Sequence, residues 1–167
     1  MKNKWIQQGD NFKLTPSSIS VKDSLPNGIY SINQDPMTRE FSLNRIADKF
    51  EFDFEIINAE NKFINHVMKS YENTTGNLGI LLNGLKGSGK SVTAKLIANR
   101  LNKPVILIDM PYRGISEFLA SLEFDCTLFF DEFEKNFDKD ENTNILTIMD
   151  GVYNCNNRKV FILTTNE

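Results

Sequence analysis

One octapeptide near the middle of the chain constrains its fold more than any other feature. Its sequence, Gly84-Leu85-Lys86-Gly87-Ser88-Gly89-Lys90-Ser91, fits the pattern G-x-x-x-x-G-K-[ST] of a phosphate-binding loop, or P-loop. The apolar run at residues 78–82 precedes this loop and indicates a buried strand. A helical pattern follows over residues 90–102, with Val92, Leu96, Ile97 and Leu101 on one face. The motif therefore stands in the strand–loop–helix context that it requires.

The residue types in this loop suit the chemistry of a nucleoside triphosphate. Glycines let the backbone curl until successive N–H groups point at phosphate oxygens, and the following helix adds its positive N-terminal end. Lys90 is predicted to reach the β- and γ-phosphates of ATP, and the Ser91 hydroxyl to ligate Mg²⁺. A dinucleotide-binding loop is the rival interpretation, but Val92 stands where its third glycine should be. The predicted nucleotide-binding residues are Gly84, Leu85, Lys86, Gly87, Ser88, Gly89, Lys90, Ser91 and Val92.

The length and charge of the chain limit the class of protein to which it belongs. Its 167 residues suffice for one domain with a core and a small appendage. A net charge of −3 argues against a global basic field for nucleic acid, although a local patch stays open. No stretch approaches the roughly 18 apolar residues of a membrane span, and residues 1–9 lack the apolar part of a secretory signal. Cys126 and Cys155 have no metal-binding or redox spacing, so free thiols and a cytoplasmic location are expected.

The first third of the chain is less regular than the rest. Residues 1–27 are polar and interrupted by prolines, so an extended or partly disordered arm is predicted. Residues 28–32 and 40–43 are strand-like runs around an Asn-Gln-Asp-Pro turn, which indicates a β-hairpin. Phenylalanines alternate with acids from residue 50 to 54, as in an extended segment packed on a nucleotide-binding domain. A helix is predicted over residues 58–71.

From residue 78 onward, apolar strands alternate with helices. Further strands are predicted at residues 105–109, 127–131 and 159–164, and helices at residues 115–122 and 143–149. This alternation predicts an α/β fold with a parallel sheet sandwiched by helices, preceded by a small β-rich N-terminal region. The expected division is a region of residues 1–53, with the arm and hairpin, and a nucleotide-binding core of residues 54–167. Ligands bind at the carboxyl ends of such strands, where Gly84, Asp109, Asp131 and Asn166 fall.

An apolar run that ends in two adjacent acids supplies the second chemical motif. The sequence Leu128-Phe129-Phe130-Asp131-Glu132 has the form of a Walker B motif. Asp131 is predicted to hold Mg²⁺, which prefers oxygen ligands, and Glu132 to act as the base for the attacking water. Two acids between a strand and a helix also occur for a structural reason, because negative charge is favoured at a helix N-terminus. Behind a P-loop the catalytic interpretation is preferred, and the second acid argues for hydrolysis.

These motifs together resemble those of the AAA+ ATPases. The resemblance covers about residues 54–167 and adds the run Ile145-Leu146-Thr147-Ile148-Met149-Asp150-Gly151 and the closing Thr164-Thr165-Asn166. Gly84-Leu85-Lys86-Gly87 and Asp131-Glu132-Phe133-Glu134-Lys135 are similar to members from bacteriophages and bacteria. The resemblance implies that Asn166 is sensor 1, on a strand between those of the P-loop and of Asp131, and acts with Lys90 and Glu132 in catalysis. It also implies a hexameric ring that remodels proteins or protein–nucleic acid complexes in the cytoplasm. If the protein is phage-encoded, this is the cytoplasm of the bacterial host.

The family pattern continues beyond the last residue, Glu167, with a fifth strand, an arginine finger and a helical lid. An incomplete module with weak activity on its own is therefore expected, since an arginine finger contributes several orders of magnitude in rate. A nucleotide-dependent scaffold that holds ATP without efficient turnover is the alternative function. A small-molecule kinase is a third interpretation, for which only Arg100, Arg113 and Arg158 follow Lys90 as candidate acceptor-site arginines.

Tyr112 is a candidate substrate-contacting residue by resemblance alone. The sequence Tyr112-Arg113-Gly114 follows the predicted strand at residues 105–109 and resembles the aromatic pore loop of AAA+ remodellers. There the ring would grip a polypeptide, or stack on bases with Arg113 on phosphate. The alternative interpretation is that the tyrosine packs against its own loop, since tyrosine side chains are on average buried to an intermediate degree.

Overall fold

A six-stranded sheet organises the molecule. The structure is a computed structural model that describes residues 4–15, 19–56, 62–137, 145, 149 and 157–166. Its strands are β1 (Lys4–Gln8), β2 (Asn11–Thr15), β3 (Ile29–Gln34), β4 (Phe41–Ala47), β5 (Leu78–Asn83), β6 (Val105–Leu107), β7 (Cys126–Phe130) and β8 (Lys159–Thr165). The main sheet has the spatial order β4-β3-β6-β7-β8-β5, and only the β3–β4 pair is antiparallel.

Helices cover the two faces of this sheet. They are α1 (Lys62–Asn73), α2 (Lys90–Leu101), α3 (Ile115–Ala120) and the single turn α4 (Phe133–Asn136). One apolar cluster joins α1 and α2 to the sheet, and its fully buried members include Ile64, Ile97 and Ile162. The cluster on the opposite face joins α3 and α4 to the sheet through residues such as Leu119 and Phe130. The predicted α/β sandwich is confirmed.

The strand–loop–helix unit around the P-loop forms as the sequence predicts, and two of the four residues predicted for the buried face of α2, Ile97 and Leu101, are buried. Its buried residues are Ala94, Ile97, Ala98 and Leu101, whereas Val92 and Leu96 are only partly buried. Small alanine side chains allow the helix to lie close to the sheet, so they occupy the central contact positions. The sensor strand β8 lies between β5 and β7, as the resemblance implied.

The predicted hairpin at residues 28–43 is present and belongs to the main sheet. β3 pairs antiparallel with β4 and parallel with β6, so the hairpin extends the sheet beyond the nucleotide-binding strands. Its turn is closed by the Asp35 carboxylate, which accepts hydrogen bonds from the backbone N–H groups of Met37 and Thr38, both at 2.8 Å. These two bonds hold the pKa of the Asp35 carboxyl below its ordinary value, that of Thr38 contributing most. The division at residues 53 and 54 stays a prediction.

The segment after β4 crosses onto α2 through Phe50. The backbone N–H of Phe50 donates to the Asn99 side-chain oxygen, and the Asn99 amide donates to the Phe50 carbonyl, both at 2.9 Å. The Phe50 ring packs on Phe129 with centroids 5.5 Å apart, and the Lys95 ammonium lies 5.6 Å from its centroid. The expected packing of this segment on the nucleotide-binding domain is thus found at Phe50, while Phe54 remains exposed.

Residues 4–15, within the predicted extended or partly disordered arm, form two strands, which agrees with the predicted β-rich N-terminal region. β1 and β2 form an antiparallel hairpin in which Gln8 is paired with Asn11, so Gly9 and Asp10 make a two-residue turn. Gly9 has a φ of 59°, a left-handed conformation that glycine adopts freely and that such turns require. The Gly-Asp dipeptide is therefore the sequence signal for this hairpin, although the polar composition of the region does not indicate strands.

Two further expectations concern the remaining helical regions. The helix expected over residues 58–71 is α1, and residues 57–61 lie outside the described part of the chain. The helix predicted over residues 143–149 also lies outside it except for Ile145 and Met149, both of which are helical. Within the described residues, no helix has the length and apolar character needed to cross a membrane.

Candidate nucleotide-binding site

The P-loop joins the end of β5 to the start of α2. Gly87 and Gly89 have φ values of 83° and 87°, and Gly89 is the residue immediately before the helix. These left-handed conformations favour glycine and curl the loop around the helix N-terminus. The Lys90 ammonium turns back over the loop and donates to the carbonyls of Gly84 at 2.6 Å and Leu85 at 2.8 Å. The lysine charge is thereby held at the mouth of the loop.

Side chains from α2 and β8 meet at the carboxylate of Asp131, the residue that follows β7. The Ser91 hydroxyl donates to Asp131 Oδ1 at 2.9 Å, and the Thr164 hydroxyl donates to the same oxygen at 2.6 Å. The Thr164 oxygen in turn accepts the backbone N–H of Glu132 at 2.9 Å. Ser91 and Asp131 thus present two adjacent hard oxygen atoms, the ligand type that Mg²⁺ prefers. Thr164, which is 1% exposed, fixes the orientation of the carboxylate.

Glu132 follows Asp131 in a strained turn. Its φ of 50° is uncommon for a residue with a side chain, and it stands immediately before α4. Its Oε2 pairs with the Lys135 ammonium at 2.7 Å, and its Oε1 accepts a longer bond from the Asn166 amide at 3.4 Å. The hydrogen bond and positive charge of Lys135 hold the pKa of the Glu132 carboxyl below its ordinary value, with smaller effects from Asn166 and Lys86. The carboxylate is therefore ionised at neutral pH.

One cavity of about 290 Å³ brings together most of the predicted P-loop residues, Glu132 and Asn166, whereas Gly84, Leu85, Ser88 and Asp131 do not line it. Its lining residues are Lys86, Gly87, Gly89, Lys90, Ser91, Val92, Glu132, Thr164 and Asn166. A second cavity of about 330 Å³ adjoins Asp131 and Glu132 on the side of β6. It is bounded by Phe50, Lys95 and Asp109, so Asp109 lies beside the acids and not among the P-loop residues.

Tyr112 lines neither of these two cavities. Its ring packs edge-on against Phe41 with centroids 6.1 Å apart, and its hydroxyl donates to the Ile32 carbonyl at 3.3 Å. Burial and the neighbouring Asp109 carboxylate raise the pKa of the phenol. The ring is therefore engaged by the β3–β4 hairpin, which is the packing role that the sequence left open. Arg113 is exposed, and its backbone carbonyl accepts a bond from the Gln34 amide at 2.9 Å.

Comparison with known families identifies the fold around this site. Residues 80–167 match the model of the ATPase family associated with various cellular activities, AAA, and this stretch is more than half of the chain. The chain belongs to the AAA family. The expected resemblance is therefore confirmed at the level of the family.

One curated relative extends this comparison. An uncharacterized AAA domain-containing protein, ycf46, from Guillardia theta is 34% identical over 83 residues. The alignment covers 39% of this chain and 16% of that protein, so the chain spans less than a fifth of the relative's length. The AAA chain described here is thus similar to a part of a much larger protein.

Sequence reasoning missed two residues of the site. Thr164 was noted as part of the closing Thr-Thr-Asn run, but its contact with Asp131 depends on β8 lying beside β7. Lys135 was noted beside the Walker B acids, yet its bond to Glu132 follows from the turn of helix between them. The three-residue spacing of Glu132 and Lys135 was the available signal for that pair.

Proposed function

We propose that this AAA core binds Mg·ATP and hydrolyses it to ADP and phosphate. The observation that carries the proposal is one cavity lined by the curled P-loop, Ser91 and Glu132, with the Asp131 carboxylate hydrogen-bonded to Ser91 beside it. Each of these groups has a separate task in phosphoryl transfer to water, where catalysis consists of positioning and charge stabilisation. Three different strand ends deliver them to the same edge of the sheet.

Binding is assigned to the P-loop and the magnesium pair. The backbone N–H groups from Gly84 to Val92 would face the phosphates, with the Lys90 ammonium on the β- and γ-phosphates. Lys90 now bonds to two carbonyls of the loop, so it is close enough to exchange those acceptors for phosphate oxygens. Ser91 and Asp131 would hold Mg²⁺, which usually keeps several waters and takes few protein ligands. The ion would supply charge neutralisation between the phosphates.

Hydrolysis is assigned to Glu132 and Asn166. The Glu132 carboxylate would accept a proton from the attacking water, and the Asn166 amide would orient that water. Their side chains already lie 3.4 Å apart at the cavity wall, which supports a shared substrate. Thr164 positions the backbone of Glu132 and the carboxylate of Asp131 through one hydroxyl.

The larger assembly is also part of the proposal. We propose a homo-oligomeric ring, a hexamer by family resemblance, that remodels proteins or protein–nucleic acid complexes in the cytoplasm of a bacterium or a phage-infected cell. The AAA core of residues 54–167 would supply the motor, and residues 1–53 would form an accessory region. The net charge of −3 supports a protein-directed activity over a non-specific attraction to nucleic acid.

A scaffold that holds ATP without efficient turnover is the second candidate. It is favoured by the Lys135–Glu132 ion pair, which occupies one oxygen of the proposed base. The two functions make the same prediction for ATP binding and different predictions for phosphate release by the parent chain. They can therefore be separated by two measurements on the same variants.

The experiment compares Lys90→Ala and Glu132→Gln with the parent chain. ATP affinity is measured by calorimetry with Mg²⁺, and phosphate release in the steady state without an added acceptor. Lys90→Ala should weaken ATP binding by at least about tenfold, because it removes charge-assisted bonds to phosphate. Glu132→Gln should keep ATP affinity and lose about 10²- to 10⁴-fold in turnover, the usual contribution of a general base.

Matched controls are the exposed residues Lys69 and Glu134. Lys69→Ala on α1 and Glu134→Gln on α4 repeat the chemical changes outside the cavity and should leave both measurements unchanged. Unchanged ATP affinity in folded Lys90→Ala would overturn the binding proposal. Parental turnover in Glu132→Gln would remove Glu132 as the base, and tight binding with no turnover in the parent would favour the scaffold.

A further inference from the structure

The β1–β2 hairpin presents an apolar face that no described residue covers. Directly opposed residues of an antiparallel pair share a face, so the pairs Trp5–Leu14 and Gln7–Phe12 bring three apolar side chains together. Trp5, Phe12 and Leu14 are 65%, 60% and 50% exposed. An isolated two-stranded hairpin is only marginally stable in water. This face therefore needs a covering partner.

The same hairpin has open edges and a basic side. It is a separate two-stranded sheet, so the outer edges of β1 and β2 have no ladder partner among the described strands. Lys13 is opposite Ile6 and hence lies on the face away from Trp5. Residues 1–22 carry four lysines and one aspartate, whereas the chain as a whole has a net charge of −3. A matching partner would offer an extended backbone with apolar and acidic side chains on alternate sides.

Residues 51–55, here called the acidic segment, have that pattern. Phe52 and Phe54 alternate with acids at positions 51, 53 and 55, and all three acids are exposed. The two rings contact each other with centroids 5.8 Å apart, so they lie on the same side of the segment. The segment is outside every helix and strand of the structure, and its acids form no ion pair with a described base. Its alternation has the two-residue period of a strand.

We propose that the acidic segment of a second copy of this chain adds to the outer edge of β2 as a third strand of the β1–β2 hairpin. In that register Phe52 and Phe54 of the second copy would lie beside Phe12 on the apolar face that includes Trp5, and the acids would lie beside Lys13 on the other face. Edge pairing satisfies backbone groups, while the alternate side chains supply specificity. The inference rests on the proposed self-association and names the surfaces that carry it.

A second copy fits these surfaces better than the same chain folding back on itself or single-stranded nucleic acid. Within one chain the surfaces do not cover each other, since Trp5, Phe12 and Phe54 all remain exposed. Single-stranded nucleic acid requires basic groups beside the stacking rings, and Lys13 lies on the opposite face. Because each copy has one hairpin and one acidic segment, the contact is head-to-tail and can be repeated around a closed ring.

The contact is expected to be weak when it forms singly. Large aromatic side chains bury about 150–250 Å² each, so the four rings involved fall short of a standard interface of about 800 Å² per partner. Association should consequently depend on protein concentration and weaken with added salt, which screens the Lys13–acid attraction. Closure of a ring would strengthen it because the last contact is intramolecular.

The test is a charge swap in the full 167-residue chain, followed by sedimentation equilibrium. Lys13→Glu and Asp53→Lys should each weaken self-association by about 2- to 30-fold, since an attractive cross-strand pair becomes repulsive. The double variant with both changes should return to within about threefold of the parent. Lys69→Glu, a charge reversal on the exposed side of α1, should leave self-association unchanged.

Further readouts separate this inference from the nucleotide proposal. ATP affinity should be equal in all four variants, because none of these residues lines the P-loop cavity. Trp5→Ser should abolish self-association, and hydrogen exchange should show protection of residues 51–55 only in the associated parent. A strictly monomeric parent, single swaps without effect, or a double variant that stays dissociated would each overturn the inference. Binding of an oligothymidine that Trp5→Ser abolishes would assign the hairpin to nucleic acid instead.

Discussion

Two buried threonines on adjacent strands allow a direct test of how the site is held together. Thr164 on β8 is 1% exposed and Thr127 on β7 is fully buried, so their environments are alike in burial. The Thr164 hydroxyl makes two hydrogen bonds, whereas the Thr127 hydroxyl has no hydrogen-bond partner among the described residues. Substitution by valine keeps the branched shape and removes only the hydroxyl. The two variants should therefore change stability in opposite directions.

The expected sizes follow from those partners. Thr164→Val removes a bond to the Asp131 carboxylate and leaves the Glu132 N–H without its acceptor, at a cost of about 2–4 kcal/mol in the free energy of unfolding. Thr127→Val removes a buried hydroxyl that gains nothing from its position, so the free energy of unfolding should rise by about 1–2 kcal/mol. At about 2–4 °C per kcal/mol for a chain of this size, Tm should fall by about 4–16 °C in Thr164→Val and rise by about 2–8 °C in Thr127→Val.

The assay is urea denaturation followed by circular dichroism, with Mg·ATP affinity measured on the same samples. Thr164→Val should also weaken ATP binding, because Asp131 loses one of the groups that orient it beside Ser91. Thr127→Val should leave ATP affinity at the parental value. If both variants shift stability in the same direction and by similar amounts, the hydrogen bonds of Thr164 do not hold the site, and the reasoning is refuted.

Three other changes test single contacts. Lys135→Met should raise the pKa of Glu132 toward its ordinary value, so the acidic limb of the pH profile of kcat/KM should move to higher pH. Lys135→Arg should return that limb to its parental position. An acidic limb that does not move in Lys135→Met would contradict the effect of the Lys135–Glu132 ion pair. Asn166→Ala should lower kcat more than it weakens ATP binding, and equal losses in both would make Asn166 a binding residue. Tyr112→Ala should lower the free energy of unfolding by about 1–3 kcal/mol through the lost contact with Phe41, with ATP affinity unchanged in calorimetry. Tyr112→Phe should lower it by less than about 1 kcal/mol. A Tyr112→Ala variant as stable as the parent would contradict the packing role.

The parts of the fold that the sequence predicts well are those with a strong local signal. The P-loop pattern locates β5 and α2 within one or two residues, because glycine spacing, an apolar run and helical periodicity all agree there. Strand β7 is equally clear, since an unbroken apolar run that ends in acids is a strong signal for a buried strand. These two elements were enough to predict the α/β class and the edge of the sheet at which the site lies.

What the sequence could not give depends on which strands become neighbours. The role of Thr164 requires β8 beside β7, and the burial of Tyr112 requires the β3–β4 hairpin beside β6. Neither pairing leaves a trace in local periodicity, because strand order is a tertiary property. The β1–β2 hairpin was missed for a different reason, since its strands are half polar and its turn rests on one Gly-Asp dipeptide.

The order of strands in the sheet also determines when the nucleotide site can form during synthesis. Among the described strands β5 pairs with β8 alone, although β8 follows it by about 75 residues in the chain. A ribosome adding about 5–20 residues per second needs about 4–15 s to make that stretch, and during this time the P-loop strand has no ladder partner. Strand β8 carries Thr164 and ends one residue before Asn166. A nascent chain should thus expose the apolar residues of β5 to chaperones until β8 inserts, and bind nucleotide only after that insertion.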